Sequence, residues 1–264
     1  VMRPPVVDAH VHTGPPKYAP IEDYRAAMAA SDIAGAVLVQ HLGTTDNRYL
    51  LDAVRSEPAR FAGVAIAETA EHAAALLSAG FAGLRVAPSG LPDGSGDAVF
   101  DVLDDAGAVV SLTGPFADVV SSRLRSVVAE RRRLHVRLEH LGWFRYGPGS
   151  PDVEAFPRLL ELAELPNVSV MWSGFFANAG TAYPYPDARP YLDRLLAAFG
   201  PERIMWSGDW NRAGLAAGEY DAAVELALSH WGLDAEQAAG VLGGTAARVF
   251  GLPATVSSAT EGAR

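Results

Sequence analysis

Two histidines one residue apart, closing the apolar run Val6-Val7-Asp8-Ala9-His10-Val11-His12, are the first side chains whose types and spacing could do chemistry. On a strand, alternate side chains share a face, so His10 and His12 point the same way. Two imidazoles converging at a strand end can hold a divalent metal ion or polarise a substrate oxygen. A buried histidine pair satisfied by hydrogen bonds would look the same in isolation, so the rest of the chain has to decide. Asp8 shares the parity of the histidines and reads as a hydrogen-bonding neighbour rather than a ligand.

The elements that must position these side chains follow a regular alternation. Thr13-Gly14-Pro15-Pro16 punctuates a loop, and Ile21 to Ser31 reads as a helix. Ile33 to Gln40 has the continuous apolar character of a strand buried on both faces, as a parallel sheet covered by helices requires. Strands are then predicted at Phe61 to Ala67, Phe81 to Ala87, Ala108 to Thr113, Leu134 to His140, Val168 to Ser173 and Ile204 to Asp209. Helices fall between them at Asn47 to Ser56, Glu71 to Ala79, up to Ala106, Ala117 to Arg132, Val153 to Glu164 and Pro190 to Phe199. Eight strands, each followed by a helix and with no linker composition between them, predict an α/β protein: a single-domain (β/α)8 TIM barrel over residues 1–252. Residues 253–264 lack periodicity and large apolar groups, which predicts a mobile C-terminal tail. The alternative, an open doubly wound sheet, ranks behind because no G-x-G-x-x-G turn follows the first strand.

In such barrels the active site lies at the C-terminal ends of the strands. Strand one ends in His10 and His12, strand two in Gln40 and His41, and strand four carries Arg85. Strand five offers Ser111 and Thr113, strand six Glu139 and His140, strand seven Trp172 and Ser173, and strand eight Asp209 with Trp210. So many polar groups at one barrel mouth are hard to explain as packing. Three histidines and an aspartate there could hold a metal, or could activate water without one. Trp172 and Trp210 read as pocket walls, whereas Trp206 has the wrong parity and should pack against helices. His72, His135 and His230 lie away from the mouth and read as structural.

Composition narrows the partners. A net charge of −10 over 264 residues argues against nucleic acid, whose phosphates nothing would neutralise. The run Arg131-Arg132-Arg133 closes a predicted helix, where cations complement the dipole. The absence of cysteine excludes a disulfide, a thiolate metal site and a cysteine nucleophile together. No apolar stretch approaches the ~20 residues that span a bilayer, and the N-terminus lacks a signal-peptide profile, so a cytoplasmic location with no membrane partner is expected.

Several stretches carry a more specific likeness: Val6-Val7-Asp8-Ala9-His10-Val11-His12, Leu138-Glu139-His140-Leu141-Gly142, Asn167 to Gly174, Glu202 to Trp210, and Gly243 to Leu252. In order and placement they resemble the amidohydrolase superfamily, and within it the amidohydrolase-related branch that includes 2-pyrone-4,6-dicarboxylate hydrolase and the sugar lactonases. The resemblance implies a metal set of His10, His12, His140 and Asp209, with Asp209 as the general base on attacking water, His140 beside it as a catalytic group, and Arg85 contacting substrate oxygens. Gln40, His41, Trp172 and Trp210 join Arg85 as expected substrate contacts. The bridging lysine or glutamate of binuclear members is missing, with Arg85, Ser111 and Thr113 in its place, so at most one divalent ion is expected. Zn²⁺ suits a nitrogen and carboxylate set, and the pyrone hydrolase branch, which dispenses with metal, keeps a metal-free site open. Met171-Trp172 stand where lactonase relatives often have Lys-Leu-Ser-Gly, so substrate recognition is expected to differ.

These readings predict a hydrolase that cleaves a lactone or other ester-like bond in a small organic substrate. The alternative from the same superfamily is a metal-dependent non-oxidative decarboxylase of an aromatic or unsaturated acid. A barrel that only binds its ligand is less favoured, since a binder has no need of a buried base. The oligomeric state is open, with a homo-oligomer one possibility.

Overall fold

The apolar runs form eight parallel strands: β1 (Val6–Val11), β2 (Ile33–Val39), β3 (Phe61–Ala65), β4 (Gly83–Val86), β5 (Val109–Leu112), β6 (His135–Leu138), β7 (Val168–Trp172) and β8 (Ile204–Trp206). The computed structural model describes residues 4–87, 95–147, 149–210 and 219–253, so the expected tail from 254 onward lies outside the described residues. Neighbours in sequence are neighbours in the sheet, from β1 through β8. Helices α1 (Ile21–Ala30), α2 (Arg48–Ser56), α3 (Ala70–Ala79), α4 (Ser95–Ala106), α5 (Ser122–Glu130), α6 (Pro151–Glu161), α7 (Arg189–Phe199), α8 (Glu219–Glu225) and α9 (Thr245–Phe250) alternate with them or follow β8. This is the expected (β/α)8 barrel. Among the described residues no helix is long and apolar enough to cross a membrane.

Each strand is buried on both faces, which is why the runs are apolar without alternation. Ala36, Leu38, Val110, Leu112, Val170 and Trp206 belong to the large outer cluster packed under the helices. The odd-numbered residues between them, Val37, Val39, Val109, Met171 and Met205, face inward and pack with Phe250 and Leu252, so the end of α9 plugs the barrel floor. Above that plug the same inward parity turns polar, with Ser111 on β5, Arg137 on β6 and Glu139 just beyond it, all fully buried.

β1 departs from simple alternation. Val7 and Ala9 face the inner cluster, but the register with β2 shifts between Asp8 and Val11. The slip reverses parity, so His10 and His12 also turn inward while Asp8 does not share their face. Asp8 lies instead at the seam between β1 and β8. Its carboxylate accepts from the His10 amide (3.0 Å), the Ser207 hydroxyl (2.7 Å), the Gly208 amide (3.3 Å) and the Tyr220 hydroxyl (2.9 Å).

Other boundaries shift for local reasons. The helix expected over 117–132 is divided into Phe116–Val119 and α5, because Ser121 is extended and caps α5 by accepting from the Leu124 amide. Arg131 does end that helix, with its guanidinium on Asp101 at 2.8 Å and on the Val127 carbonyl. β8 stops at Trp206 rather than at 209, since Ser207 and Gly208 are drawn to Asp8 and Asp209 has φ 52°.

His135 begins β6 at the floor end, as its place in the sequence suggested, and its Nε2 lies 2.9 Å from Ser169 Oγ. Burial, then the Arg248 and Arg137 charges, push its pKa down to about 4 from 6.5. A neutral imidazole is therefore preferred in the folded chain. Its stabilising share is whole above about pH 6.5 and is lost as pH falls through about 4. His135→Gln should flatten the fall in unfolding free energy between those pH values, by up to about 3 kcal/mol, as read from urea midpoints of the two proteins.

Candidate active site

The register slip in β1 puts the two histidine rings in contact. Their Nε2 atoms are 3.1 Å apart, and the rings meet edge to face. His12 Nδ1 lies 2.8 Å from the Val39 carbonyl, which can only accept, so the proton sits on Nδ1 and the Nε2 lone pair faces inward. His10 Nε2 is 4.0 Å from one Asp209 carboxylate oxygen, and His140 Nε2 is 4.0 Å from the other. Ligand atoms of His10, His12 and Asp209 all lie within 4.8 Å of one another. Two nitrogens each about 2.1 Å from a tetrahedral ion stand about 3.4 Å apart, so the histidine spacing suits such an ion.

Electrostatics favour the same use. Burial, then the neighbouring His12 and His140, push His10 well down, and burial with the Arg85 charge takes His12 down to about 3. Neutral imidazoles are what a metal ion requires, and His12 already turns its Nε2 lone pair inward. His10, Glu139 and His140 form an overlapping group of the same kind.

His140 reaches the site by an unusual backbone. His140, Leu141, Gly142 and Trp143 all have φ between 48° and 69°, a run of left-handed residues in place of the expected end of a strand. Each non-glycine residue in that region costs on the order of 1 kcal/mol, and the turn is held by its surroundings. His140 Nδ1 is 2.9 Å from Ser173 Oγ, and Trp143 Nε1 donates to Thr113 Oγ1 at 2.9 Å. The turn thus sets the His140 and Trp143 rings 4.7 Å apart at the mouth.

These groups open on a cavity of about 480 Å³ lined by His12, Lys17, Tyr18, His41, Leu42, Arg85, His140, Trp143 and Asp209. Tyr18 stacks on His12 at 5.0 Å, and His41 meets Tyr18 edge-on. Arg85 lines the cavity while its Nε and Nη2 donate to Glu139 and its Nη1 to the Gln40 carbonyl. Burial would raise the Glu139 carboxyl, but Arg85 and Arg137 hold it at about 2.

The amidohydrolase family matches residues 5–252, nearly the whole barrel. The chain belongs to that family. Among curated relatives of this amidohydrolase, L-fucono-1,5-lactonase of Burkholderia ambifaria is 30% identical over 220 residues, 76% of this chain and 73% of the relative. The lactonase of the same name from Burkholderia multivorans is 38% identical, but over a match spanning only 34% of its length. A solved putative 2-pyrone-4,6-dicarboxylic acid hydrolase of Pseudomonas putida superposes with TM-score 0.79 at 26% identity, covering 95% of this chain and 98% of that one. An amidohydrolase of Burkholderia multivorans solved with bound zinc shares the fold, with TM-score 0.77 and 23% identity over 94% of this chain and 100% of that one.

Of the residues singled out from sequence, His10, His12, His140, Asp209, Arg85 and His41 converge at the mouth, and three others stand elsewhere. Trp172 faces outward, its ring 5.5 Å from Trp231 and 4.8 Å from Phe175, because its even position on β7 points to the helices. Trp210 packs its ring on Tyr24 at 4.9 Å, and its carbonyl accepts from the His12 amide. Gln40 spends its amide on the Asp46 carbonyl and its carbonyl oxygen on the His41 amide, bracing a loop. Sequence reasoning assigned no part to Lys17, Tyr18 or Trp143, which line the cavity from loops. It also passed over Arg137, although a charge at an inward position of a barrel strand is a readable signal.

Gly174 shows how tightly this amidohydrolase holds His140. Its φ is 80°, and an added Cβ would stand 3.0 Å from His140 Cβ and 3.1 Å from Nδ1. Gly174→Ala should lower stability by about 1–2 kcal/mol in chemical denaturation, from the left-handed backbone alone. A crystal structure of the variant should show the imidazole displaced from Ser173.

Proposed function

We propose that this amidohydrolase hydrolyses a lactone of a small organic acid, with Asp209 as the general base. The observation that carries the reading is the Asp209 carboxylate set 4.0 Å from both His10 Nε2 and His140 Nε2 at the foot of an open cavity. A base without a task is a costly thing to bury among imidazoles. The named lactonase relatives and the pyrone hydrolase neighbour support the choice of a cyclic ester.

The residues that would hold one divalent ion are His10, His12 and Asp209, with His140 completing the set from 4.0 Å beyond the Asp209 carboxylate, and Zn²⁺ suits these nitrogen and oxygen donors. Such an ion would supply Lewis-acid polarisation of the ester carbonyl. Asp209 accepts a proton as water adds to that carbonyl carbon. When the ring C–O bond breaks, the same carboxyl returns the proton to the departing oxygen, and the product is an open-chain hydroxy acid. His140, fixed by Ser173, borders the carboxylate throughout. Tyr18 and Trp143 present aromatic faces to the substrate, and Lys17 offers a cation at the rim for an anionic substituent. Arg85 adds its charge from the cavity wall, shared with Glu139.

A panel containing L-fucono-1,5-lactone and 2-pyrone-4,6-dicarboxylate, followed by acid release with a pH indicator, tests the reaction class. Release of carbon dioxide from aromatic acids, with lactones left intact, would replace this reading by the decarboxylase one. Asp209→Asn should cut turnover by roughly 10²–10⁴-fold with an unchanged melting temperature. An active variant would reduce Asp209 to a structural residue.

Metal content separates the two forms of the site. Elemental analysis should give at most one divalent ion per chain, and removal with a chelator should abolish turnover until Zn²⁺ is restored. Full activity after stripping would assign carbonyl polarisation to the histidines themselves.

A further inference from the structure

Arg137 lies fully buried in the barrel lumen, between the apolar plug and the histidine layer, and no step of the proposed hydrolysis uses it. Below it, the guanidinium rests on the Phe250 ring, 5.1 Å from the centroid. Above, it spends its donors on two strands. Nη1 donates to the Ala9 carbonyl on β1, while Nε and Nη2 donate to Ser111 Oγ on β5 at 3.1 and 2.5 Å. Ser111 in turn donates to Glu139 Oε1 at 2.5 Å, and that oxygen stands 3.8 Å from His10 Nδ1. Burial lowers the Arg137 pKa to about 10, so the guanidinium stays a cation at neutral pH.

The contact with Ala9 falls at a telling place. The register between β1 and β2 slips between Asp8 and Val11, and Ala9 is the residue before His10. A slip in a ladder bends the strand and leaves the extra residue without its ladder partner, so other contacts must satisfy its backbone. Arg137 takes the Ala9 carbonyl from across the lumen and, through Ser111, sets the carboxylate that faces the far side of the His10 ring. One guanidinium thus bears on His10 from two sides, through the carbonyl that precedes it in the chain and through a carboxylate 3.8 Å from its ring.

We propose that Arg137 is a positioning residue: a cross-lumen brace that holds the β1 slip and Glu139 so that His10 and His12 aim at one point. The inference rests on the reading of that point as a divalent-ion site, and its test does not require the substrate. Arg137→Lys keeps a cation beside Glu139 but replaces a planar fork reaching two strands by one point donor. In the full chain stripped of metal, its Zn²⁺ affinity by calorimetry should fall about 10–100-fold, the usual cost of disturbing a partner behind a ligand. The Co²⁺-loaded variant should show altered visible absorption bands, and unfolding should remain cooperative. A loss of melting temperature with Zn²⁺ affinity within threefold of wild type would overturn the proposal, because a purely structural brace moves stability alone.

Should Arg137→Lys fail to fold, Ser111→Ala removes only the hydroxyl between Arg137 and Glu139, and the same weakening of about tenfold is expected. Unchanged affinity in a folded Ser111→Ala would then be decisive against it. A wild-type chain that takes up no Zn²⁺ would refute the metal reading, not the brace. The imidazole ¹⁵N shifts then decide: those of His10 should move in either variant while His72 and His230 stay fixed, and unmoved His10 signals would overturn the brace.

Discussion

The Asp8 carboxylate is where this barrel closes. β8 has three residues, all laddered to β7, and its seam with β1 is joined by polar groups around one buried acid. Burial raises that carboxyl to about 6 even with four hydrogen bonds directed at it, so its donors offset only part of the cost of the charged form. Tyr220 brings the start of α8 to the same oxygen pair, and the Ser207 hydroxyl lies 3.0 Å from the His10 carbonyl. The acid therefore fixes three segments at once. With the seam in place, β1 can slip by a residue without opening the sheet.

From floor to mouth, the lumen passes through three environments. Phe250, Met171 and Met205 make an apolar plug, Arg137, Ser111, Glu139 and Arg85 form a charged layer, and the histidines with Asp209 form the open top. The middle layer has two cations and one anion, so a positive potential bears on the histidines from below. It helps to keep the imidazoles neutral. Unpaired, any of these buried charges would be destabilising by several kcal/mol. Together they replace solvent with fixed partners.

The fold was legible because strands buried on both faces leave an unmistakable run of apolar residues, and because eight of them alternate with amphipathic helices. His10, His12, His140 and Asp209 were legible as residues at strand ends. Their true geometry was not, since parity counted along β1 assumes an unbroken ladder, and it wrongly set Asp8 on the histidine face. The same counting was right for Trp206 and would have turned Trp172 outward had it been applied there. Residues reached through loops carry no period at all. Tyr18, Lys17 and Trp143 enter the cavity by backbone conformations such as the left-handed run at 140–143, which local composition does not announce. Arg137 had a period and a charge, and only its partners were hidden, because they lie on β1 and β5.

The rim of the cavity differs from its floor in what holds it. Lys17 and Leu42 stand on loops after β1 and β2, whereas Arg85, Glu139 and Arg137 form one connected unit in the lumen. Selection can act on the two regions at different speeds. Rim positions are free to diverge as diets of small molecules change, while the lumen must change several residues together or not at all. A lineage built on this scaffold would keep its interior nearly constant and write its chemical preferences in two short loops, which is also where a library aimed at new substrates would best be placed.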